Sequence, residues 1–275
     1  FTRGESDALR KAMGKKKKAI VDAMKPKFIE GGQKNGHDPK VLEKIWSDWE
    51  KFASYAFNKS HATCYSWVAY QTAYMKAHYP AEYMAALMTR RFSQITEIQK
   101  LMEECKAMNI STLGPDVNES FVGFGVNGEG EIRFGLSAIK GMGGAAAEAI
   151  VQEREKNGPY KDLFDFIQRI SLKDVNRKGL ESLALSGGFD CFGIKREDYF
   201  GKNNKGEMFL DTLVRYGQQY QLAKQQAANS LFGEDDVEVS TPPIPKGEEW
   251  STIERLGKEK ELVGIYLSAH PLDDY

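Results

Sequence analysis

The feature that most limits the possible folds is a helical periodicity that runs through the first 112 residues and then stops. In the segment PKVLEKIWSDWEKFASYAF, apolar residues recur three, four and seven positions apart, which is the pattern of an amphipathic helix. A further helix is predicted over 5–31, with a break near Pro26, and others over 60–78, 81–91 and 95–109. The first 112 residues are therefore expected to be nearly all helix.

The pattern changes after residue 112. Residues 121–126 and 131–136 are short β-prone runs on either side of Asn-Gly-Glu-Gly, which is typical of a hairpin because Asn and Gly tolerate positive φ. Helices are predicted to resume over 145–156, 162–170, 174–186 and 207–229 and again at the chain's end. Residues 232–250 are acidic and rich in proline, so an extended linker is expected there. The predicted fold class is mainly α with a small β-hairpin, and the predicted domains are 1–112, 113–190 and 191–275.

Composition excludes several classes of protein. The 275 residues are 41% hydrophobic and 28% charged, as in ordinary globular proteins. There is no run of 18 apolar residues and no signal-peptide pattern, so no membrane contact is predicted. Three widely spaced cysteines indicate a reducing, cytoplasmic interior and no metal-ligand spacing. Because the chain begins at Phe1 and not at Met, we expect it to be a piece of a longer protein.

The net charge of −1 conceals an asymmetry between the two parts of the chain. Residues 1–112 hold 19 Lys and Arg against 12 Asp and Glu, which gives +7, whereas 113–275 hold 19 against 27, which gives −8. The stretch LRKAMGKKKK carries six cations and no acid. Such a run is ordinarily a solvated helix end. Here Gly14 interrupts it and an apolar helix follows, which favours a site for phosphate.

A second motif, LSAIKGMGGAAAEAIV, is typical of a helix-hairpin-helix. Glycines on either side of an apolar residue allow a tight turn, and amides at the start of the next helix can donate to a DNA phosphate without reading any base. The alternative is a plain turn between helices with a glycine stop. A weaker partner is predicted at VNRKGLESLALSGGFD, although its leucines could equally be core. The residues expected to contact the DNA backbone are Lys140, Gly141, Met142, Gly143 and Gly144.

In order and spacing, LRKAMGKKK, FASYAFNKSHATCYSWVAYQTAYMKAHYPAEYMAALM, LGPDVN and GLSAIKGMG resemble the C-family replicative DNA polymerases of bacteria, the family of the DNA polymerase III α subunit. The resemblance covers the whole chain. It implies that 1–112 is the C-terminal part of the polymerase fingers, that 113–190 is a tandem helix-hairpin-helix region, and that 191–275 includes the contact with the sliding clamp. The implied partners are primer–template DNA, deoxynucleoside triphosphates, the clamp and other subunits of the replicative holoenzyme.

The resemblance assigns the polar residues of the first domain to the incoming nucleotide. Phosphoryl transfer requires positioning and neutralisation of charge, so cations near the triphosphate stabilise the departing pyrophosphate. Asn58 and Ser60 are expected to start a helix, and Tyr65 lies one turn beyond His61 on the same face. The residues predicted to bind nucleotide or phosphate are Arg10, Lys15, Lys16, Lys17, Asn58, Lys59, Ser60, His61 and Tyr65.

Each of these residues also has a structural interpretation. A single histidine is more often a satisfied structural residue, Asn58 or Ser60 could serve only as a cap, and Tyr65 could be core. Several of the lysines could contact template or duplex backbone instead of triphosphate.

The paired aspartates that hold two metal ions in DNA polymerases are not found in the basic half of the chain. Asp235-Asp236 and Asp273-Asp274 lie in linker-like or terminal sequence and are poor candidates. In the family these carboxylates belong to the palm, so Mg²⁺ is expected in the palm of the parent enzyme and no cofactor or metal in this fragment. We predict no catalytic residue here and no nucleotide incorporation by the fragment alone.

The clamp contact is expected at Leu231 and Phe232. Clamp-binding peptides of the family often begin with Gln and end in Leu-Phe, and the best match, Ala-Asn-Ser-Leu-Phe at 228–232, has Ala in place of Gln. The alternative is that the two apolar residues close a small core beneath the preceding helix.

Two other classes of function are compatible with parts of the pattern. A stand-alone, non-catalytic DNA-binding accessory or repair module explains the charge asymmetry but not the polar cluster at 58–61. The other class is a helical scaffold that binds only protein. A slope near zero for log affinity against log salt concentration would favour it, since each neutralised phosphate on duplex DNA contributes about −0.9 to that slope.

Overall fold

The computed structural model describes residues 1–55, 58–228 and 239–269. The chain forms two compact units, Phe1–Tyr74 and Met75–Tyr275. Their division differs from the predicted limit at residue 112, since the helices between 80 and 107 group with the later elements. The predicted domain limits, which follow sequence character and the polymerase resemblance, remain predictions.

The first unit is helical. Its elements are α1 (Arg3–Gly14), α2 (Lys18–Lys34), α3 (Pro39–Tyr55) and the first part of α4 (Lys59–His78). Leu9, Ala12, Val21 and Trp46 form its buried core. The ring of Phe28 extends this core, since its centroid lies 5.2 Å from that of Trp46. Trp46 and Trp49 of the predicted amphipathic face of α3 thus join this cluster, whereas Val41, Ile45 and Phe52 are exposed.

The break in the first helical segment lies at the lysine run and not at Pro26, so the predicted break was wrong in position. The α1 helix ends at Gly14, and Lys16 has a φ of 54° in the left-handed region. Pro26 lies inside α2. A proline removes one hydrogen bond from a helix, and packing of Val21 and Phe28 on either side of Pro26 outweighs that loss.

The second unit contains the remaining helices and a small sheet. Its helices are α5 (Pro80–Arg91), α6 (Ile95–Ala107), α7 (Gly144–Asn157), α8 (Leu163–Arg169), α9 (Arg177–Ser186), α10 (Phe209–Ala228) and α11 (Thr252–Val263). Short 3₁₀ turns cover Leu136–Ala138, Asp190–Phe192 and Arg196–Phe200. One continuous core joins α5, α6, the sheet and α7–α10, with Phe166, Phe189 and Leu213 at 1% exposure or less. The prediction of a mainly α fold is confirmed.

The sheet has three strands, β1 (Thr112–Leu113), β2 (Gly125–Val126) and β3 (Ile132–Arg133), in the order β1-β3-β2. The predicted hairpin is confirmed, because β2 and β3 are antiparallel and pair Val126 with Ile132. Asn127 closes its turn by accepting hydrogen bonds from the amides of Glu129 and Glu131. The strands are shorter than predicted, and β1, which pairs parallel to β3, was missed.

The described part of the predicted linker, residues 239–250, is extended but packed against the second unit. The Gly247 amide donates a 2.8 Å hydrogen bond to the Asp198 carboxylate, and the ring of Trp250 lies 5.5 Å from that of Phe200. Val239 contacts the core. Prolines keep the segment extended, but its apolar residues attach it to the 3₁₀ turn Arg196–Phe200. From residue 239 to residue 250 the segment is therefore extended and attached to the second unit.

Candidate nucleic-acid and nucleotide-binding surfaces

The glycine-rich turn before α7 has the geometry of a helix-hairpin-helix, with one difference from prediction. Its first helix is only the 3₁₀ turn Leu136–Ala138. Gly141 has a φ of +90°, a conformation that favours glycine. Ile139 and Met142 are buried at 1% and 5% exposure, so they anchor the turn in the core.

Two helices hold this turn in place. The Ser182 hydroxyl of α9, 2% exposed as a residue, donates a 2.9 Å hydrogen bond to the Lys140 carbonyl. On the other side, the Lys140 amide donates to the carbonyl of Leu262 in α11 at 2.9 Å. The position of the turn is thus fixed by contacts that sequence inspection did not reveal.

The turn presents unpaired donors to solvent. Lys140, Gly141, Gly143 and Gly144 are exposed, and the first amide of α7 that bonds back is Ala147, which donates to the Gly143 carbonyl at 3.0 Å. Within the described residues, no acceptor is found for the amides of Gly141, Gly143 and Gly144. The first turn of α7 contains no acidic residue. These amides and the positive end of the helix can therefore receive an anion.

Met142, which is predicted to contact the DNA backbone, lies on the core side of the turn. Its side chain is buried and its amide donates to the Ile139 carbonyl at 3.0 Å. It holds the loop in shape while its neighbours face outward.

Lys178, which sequence analysis did not single out, lies beside the turn. Its Cε is 3.5 Å from the place that a Cβ on Gly141 would occupy, and the residue is exposed. The neighbouring Arg177 is engaged in ion pairs with Asp211 at 2.8 Å and Glu181 at 2.5 Å. Lys140 and Lys178 thus lie next to the exposed amides. The sequence signal that could have indicated Lys178 was its position in the first turn of the helix predicted for the second hairpin.

The segment predicted as the weaker second hairpin contains α9. The helix α9 is started by Asn176, whose side chain accepts from the Gly179 amide at 3.1 Å, and it ends at Gly187, which has a φ of +89°. Gly187 thus terminates this helix, and the 3₁₀ turn Asp190–Phe192 follows it. Leu180 and Leu183 are fully buried, as in the core alternative.

The lysine run forms the junction of α1 and α2. Lys15, Lys16 and Lys17 are exposed. The α2 helix begins with neither an acidic residue in its first turn nor a side-chain cap, so its positive end and the lysines reinforce each other.

Arg10 lies on α1 and is partly neutralised. Its guanidinium pairs with Asp7 at 2.7 Å, and Lys11 pairs with the same carboxylate at 2.8 Å. Hydrogen bonds from Lys11 and Arg10 lower the pKa of Asp7. The cations available to a ligand in this stretch are therefore chiefly those after Gly14.

The second predicted cluster lies at the start of α4. Asn58 caps the helix as predicted, because its side-chain oxygen accepts from the amides of Ser60 at 2.9 Å and His61 at 3.3 Å. The rings of His61 and Tyr65 stack, with centroids 4.3 Å apart and planes at 18°. Tyr65 is 66% exposed, so it is not core in this structure. Lys59 is also exposed.

Leu231 and Phe232, the predicted clamp contact, lie outside the described residues. The preceding helix, α10, ends at Ala228.

Among the described residues, no group of three or more His, Cys, Asp or Glu side chains could hold a metal ion. Within the same ranges, no helix has both the length and the apolar character needed to cross a membrane. Cys64, Cys105 and Cys191 are free thiols.

Two family models match the chain in the regions just described. Residues 1–36 match the bacterial DNA polymerase III alpha subunit finger domain, and residues 109–199 match the helix-hairpin-helix motif. The first match contains the lysine run, and the second contains the Gly141–Gly144 turn. The chain is thus a polymerase fingers region joined to a helix-hairpin-helix region.

The chain is also similar over its whole length to individual polymerase subunits. It is 40% identical to DNA polymerase III subunit alpha of Vibrio cholerae, covering 100% of this chain and 23% of the relative. The identity to the same subunit of Aquifex aeolicus is 42%, covering 100% of this chain and 21% of the relative. The identity to that of Chlamydia trachomatis is 42%, covering 99% of this chain and 22% of the relative. The chain belongs to the family of bacterial DNA polymerase III α subunits and spans less than a quarter of the length of these relatives.

Proposed function

We propose that this chain is the part of a bacterial replicative DNA polymerase that grips primer–template DNA and meets the incoming deoxynucleoside triphosphate, while the bond-forming chemistry takes place elsewhere in the longer polypeptide. The observation that carries the proposal is the row of exposed amides at Gly141, Gly143 and Gly144, flanked by Lys140 and Lys178. Its cytoplasmic location and association with other replicative subunits belong to the same proposal.

The turn suits the backbone of DNA and not its bases. Amide donors at a helix start and two mobile ammonium groups match phosphate oxygens, which every sequence presents alike. Binding is therefore expected to be independent of sequence and to weaken with salt. Such a grip lets duplex DNA advance after each addition, because no base-specific contact has to be broken.

Fluorescence anisotropy with a labelled duplex tests this grip. We expect Lys140→Ala and Lys178→Ala each to weaken binding and to reduce the slope of log affinity against log salt by about 0.9, the contribution of one phosphate contact. Lys205→Ala, which removes an exposed lysine from a turn elsewhere in the second unit, is the matched control. Unchanged slopes in both lysine variants of the hairpin would refute the proposed DNA site.

The nucleotide site is proposed at the lysine run and at the start of α4. The uncapped positive end of α2, Lys59 and the exposed His61–Tyr65 ring pair supply cations and a stacking surface. These groups would neutralise the triphosphate and support the pyrophosphate as it leaves. Equilibrium titration with a fluorescent triphosphate should show weak binding that Lys59→Ala and His61→Ala reduce and Lys34→Ala, at the far end of α2, does not. Equal loss in all three variants would indicate only a general effect of charge.

Catalysis is assigned to the remainder of the parent enzyme. Palm carboxylates there would hold the Mg²⁺ ions that activate the primer hydroxyl and the leaving group. The purified 275-residue chain should therefore extend no primer, and measurable extension in the presence of Mg²⁺ would contradict this assignment.

The clamp contact is proposed at Leu231 and Phe232 on the sequence pattern alone. Short apolar motifs of this kind insert side chains into preformed pockets. Changing both residues to Ala should abolish clamp pull-down and leave DNA affinity unaltered. Retention of the clamp by the double variant would exclude this peptide.

A further inference from the structure

The α4 helix is twenty residues long, yet none of its residues is buried in the described structure. Tyr65, Trp67 and Tyr70 are 64–66% exposed, and Val68 is 53% exposed. By contrast, α1, α2 and α5 each bury part of one face. A helix normally shows at least one apolar stripe covered by neighbouring elements. The α4 helix has apolar side chains that could pack against neighbouring elements, but no described element buries them.

The apolar residues of α4 are spread around the helix. At 100° per residue, Tyr65 and Val68 fall on one face, and Trp67 and Tyr70 fall on a second face about 160° away. Small residues occupy the remaining face; they are Ala62, Ser66, Ala69 and Ala73. From Ser60 to Met75 the sequence contains no Asp, Glu, Lys or Arg. A helix that is apolar or uncharged on all sides is characteristic of one enclosed within a larger protein.

The charge of α4, and the extent of its surface that needs to be covered, distinguish between the possible partners of this helix. Nucleic acid would require cations opposite its phosphates, and 60–75 contains no Lys or Arg. No described helix, α4 included, qualifies as a membrane span. A second copy of the chain related by a two-fold axis would cover one patch of each helix and leave the opposite faces in water. More than three-quarters of the length of the similar polymerase subunits lies outside the aligned segment.

We propose that α4 is an interior helix of the parent polypeptide, enclosed on its Trp67–Tyr70 face, and on its other faces beyond Tyr65, by parts of that polypeptide outside these 275 residues. The small-residue face allows a third element to approach closely, because Ala and Ser leave the helix backbone accessible. Only the N-terminal end of the helix, with Asn58, Lys59 and the His61–Tyr65 ring pair, then remains at a surface. This arrangement does not depend on whether that end of the helix binds nucleotide.

Chemical footprinting compares the 275-residue chain with the full-length α subunit that contains it. We expect hydroxyl radicals to modify Trp67 and Tyr70, and a maleimide to modify Cys64, at least about tenfold more slowly in the full-length protein, since reaction there would need local opening. Trp46, fully buried within this chain, is the internal standard for radicals. Cys105 serves the same purpose for the maleimide, since burial excludes reagent and raises the pKa of its thiol to about 11.

Three results would overturn the inference. Equal rates in the two proteins would show that nothing encloses α4. Protection of the short chain that increases with its concentration would identify a second copy as the partner. Protection of the full-length protein only after primer–template is added would identify nucleic acid.

A substitution provides an independent test. Tyr70→Glu should scarcely change the melting temperature of the 275-residue chain, where the side chain is exposed, but should lower that of the full-length protein by several degrees. Ile253→Glu, at a residue 64% exposed on α11, is the matched control for placing a charge on an exposed apolar position. Equal effects of Tyr70→Glu in both proteins would contradict the proposal.

Discussion

Nη1 of Arg196 donates a 2.9 Å hydrogen bond to the carboxylate of Glu259, a residue only 1% exposed and 63 positions away in sequence. Arg196 also pairs with Asp190 at 2.6 Å. The Glu259 carboxylate accepts further bonds from the amides of Leu267 and Ser268. This network joins α11 to the 3₁₀ turn before α10. It therefore also supports the glycine-rich turn before α7, because the Lys140 amide of that turn donates to the Leu262 carbonyl of α11.

Removing one partner of this pair should be more harmful than removing both. We expect Arg196→Met to lower the free energy of unfolding by about 3–5 kcal/mol, because it leaves a buried carboxylate without its cation. The double variant Arg196→Met/Glu259→Leu should recover part of that loss. Urea unfolding of the single and double variants gives the coupling energy, and strictly additive effects would show that the pair is not coupled.

The same carboxylate should contribute to stability in a pH-dependent way. Burial alone would raise the pKa of Glu259, but hydrogen bonds from Ser268 and the ion pair with Arg196 outweigh it, so the pKa is lowered from 4.5. A lowered folded-state pKa means that the stabilisation is complete above about pH 4.5 and is lost as the pH falls through the folded value. Urea midpoints should therefore fall less steeply below pH 4.5 in Glu259→Gln than in the parent chain. Glu129→Gln, in the exposed hairpin turn, is the control and should keep the parental slope.

Two glycines of the turn before α7 should respond oppositely to alanine. At Gly141 the φ of +90° and a Cβ only 2.7 Å from the Ser182 oxygen predict a loss of about 1–3 kcal/mol in stability. At Gly144 a Cβ meets no atom within 4 Å, so alanine should leave stability unchanged or raise it by about 0.4–1 kcal/mol.

Measurements of DNA affinity distinguish residues that stabilise this turn from residues that contact DNA. Gly144→Ala should weaken duplex binding about three- to tenfold, roughly 1 kcal/mol, because its methyl group stands where a phosphate approaches the amides. Thermal unfolding and anisotropy on the same sample test both parts. Unimpaired DNA binding by Gly144→Ala would mean that DNA does not approach this turn.

Substitutions of Asn58 can separate its role as a helix cap from the effect of local charge on triphosphate binding. Asn58→Ala should cost the start of α4 about 1 kcal/mol, seen as faster amide exchange at Ser60 and His61. Asn58→Asp keeps the acceptor and favours the helix dipole, so exchange should stay slow. Its negative charge should nevertheless weaken triphosphate binding. If Asn58→Asp bound triphosphate as well as the parent chain, the nucleotide site would not be at this helix start.

Local patterns predicted much of this fold. The periodic spacing around Trp46 predicted α3, the proline at position 80 marked the start of α5, and the Asn127 turn predicted the β2–β3 hairpin. These features depend on residues close in sequence. The prediction of a helix break near Pro26 was wrong because tertiary packing of its neighbours compensates for one lost hydrogen bond. A rule based on local sequence does not include such packing.

Features that depend on distant residues could not be predicted. The pairing of β1 with β3 and the attachment of the 239–251 segment to Asp198 join parts of the chain that carry no common local signal. At the candidate site, the glycine turn was evident, but the approach of Lys178 to Gly141 depends on how α9 packs. The exposure of Tyr65 was likewise decided by the arrangement of helices.

The parallel pairing of β1 with β3 has a consequence for the order of folding. The β2–β3 hairpin closes across five residues and can form within microseconds, whereas Thr112 must meet Ile132 across a connection that is itself part of the tertiary structure. Closing this longer loop costs more chain entropy before any contact compensates. The hairpin is therefore expected to form early and to serve as the template onto which β1, and with it α6, is added late.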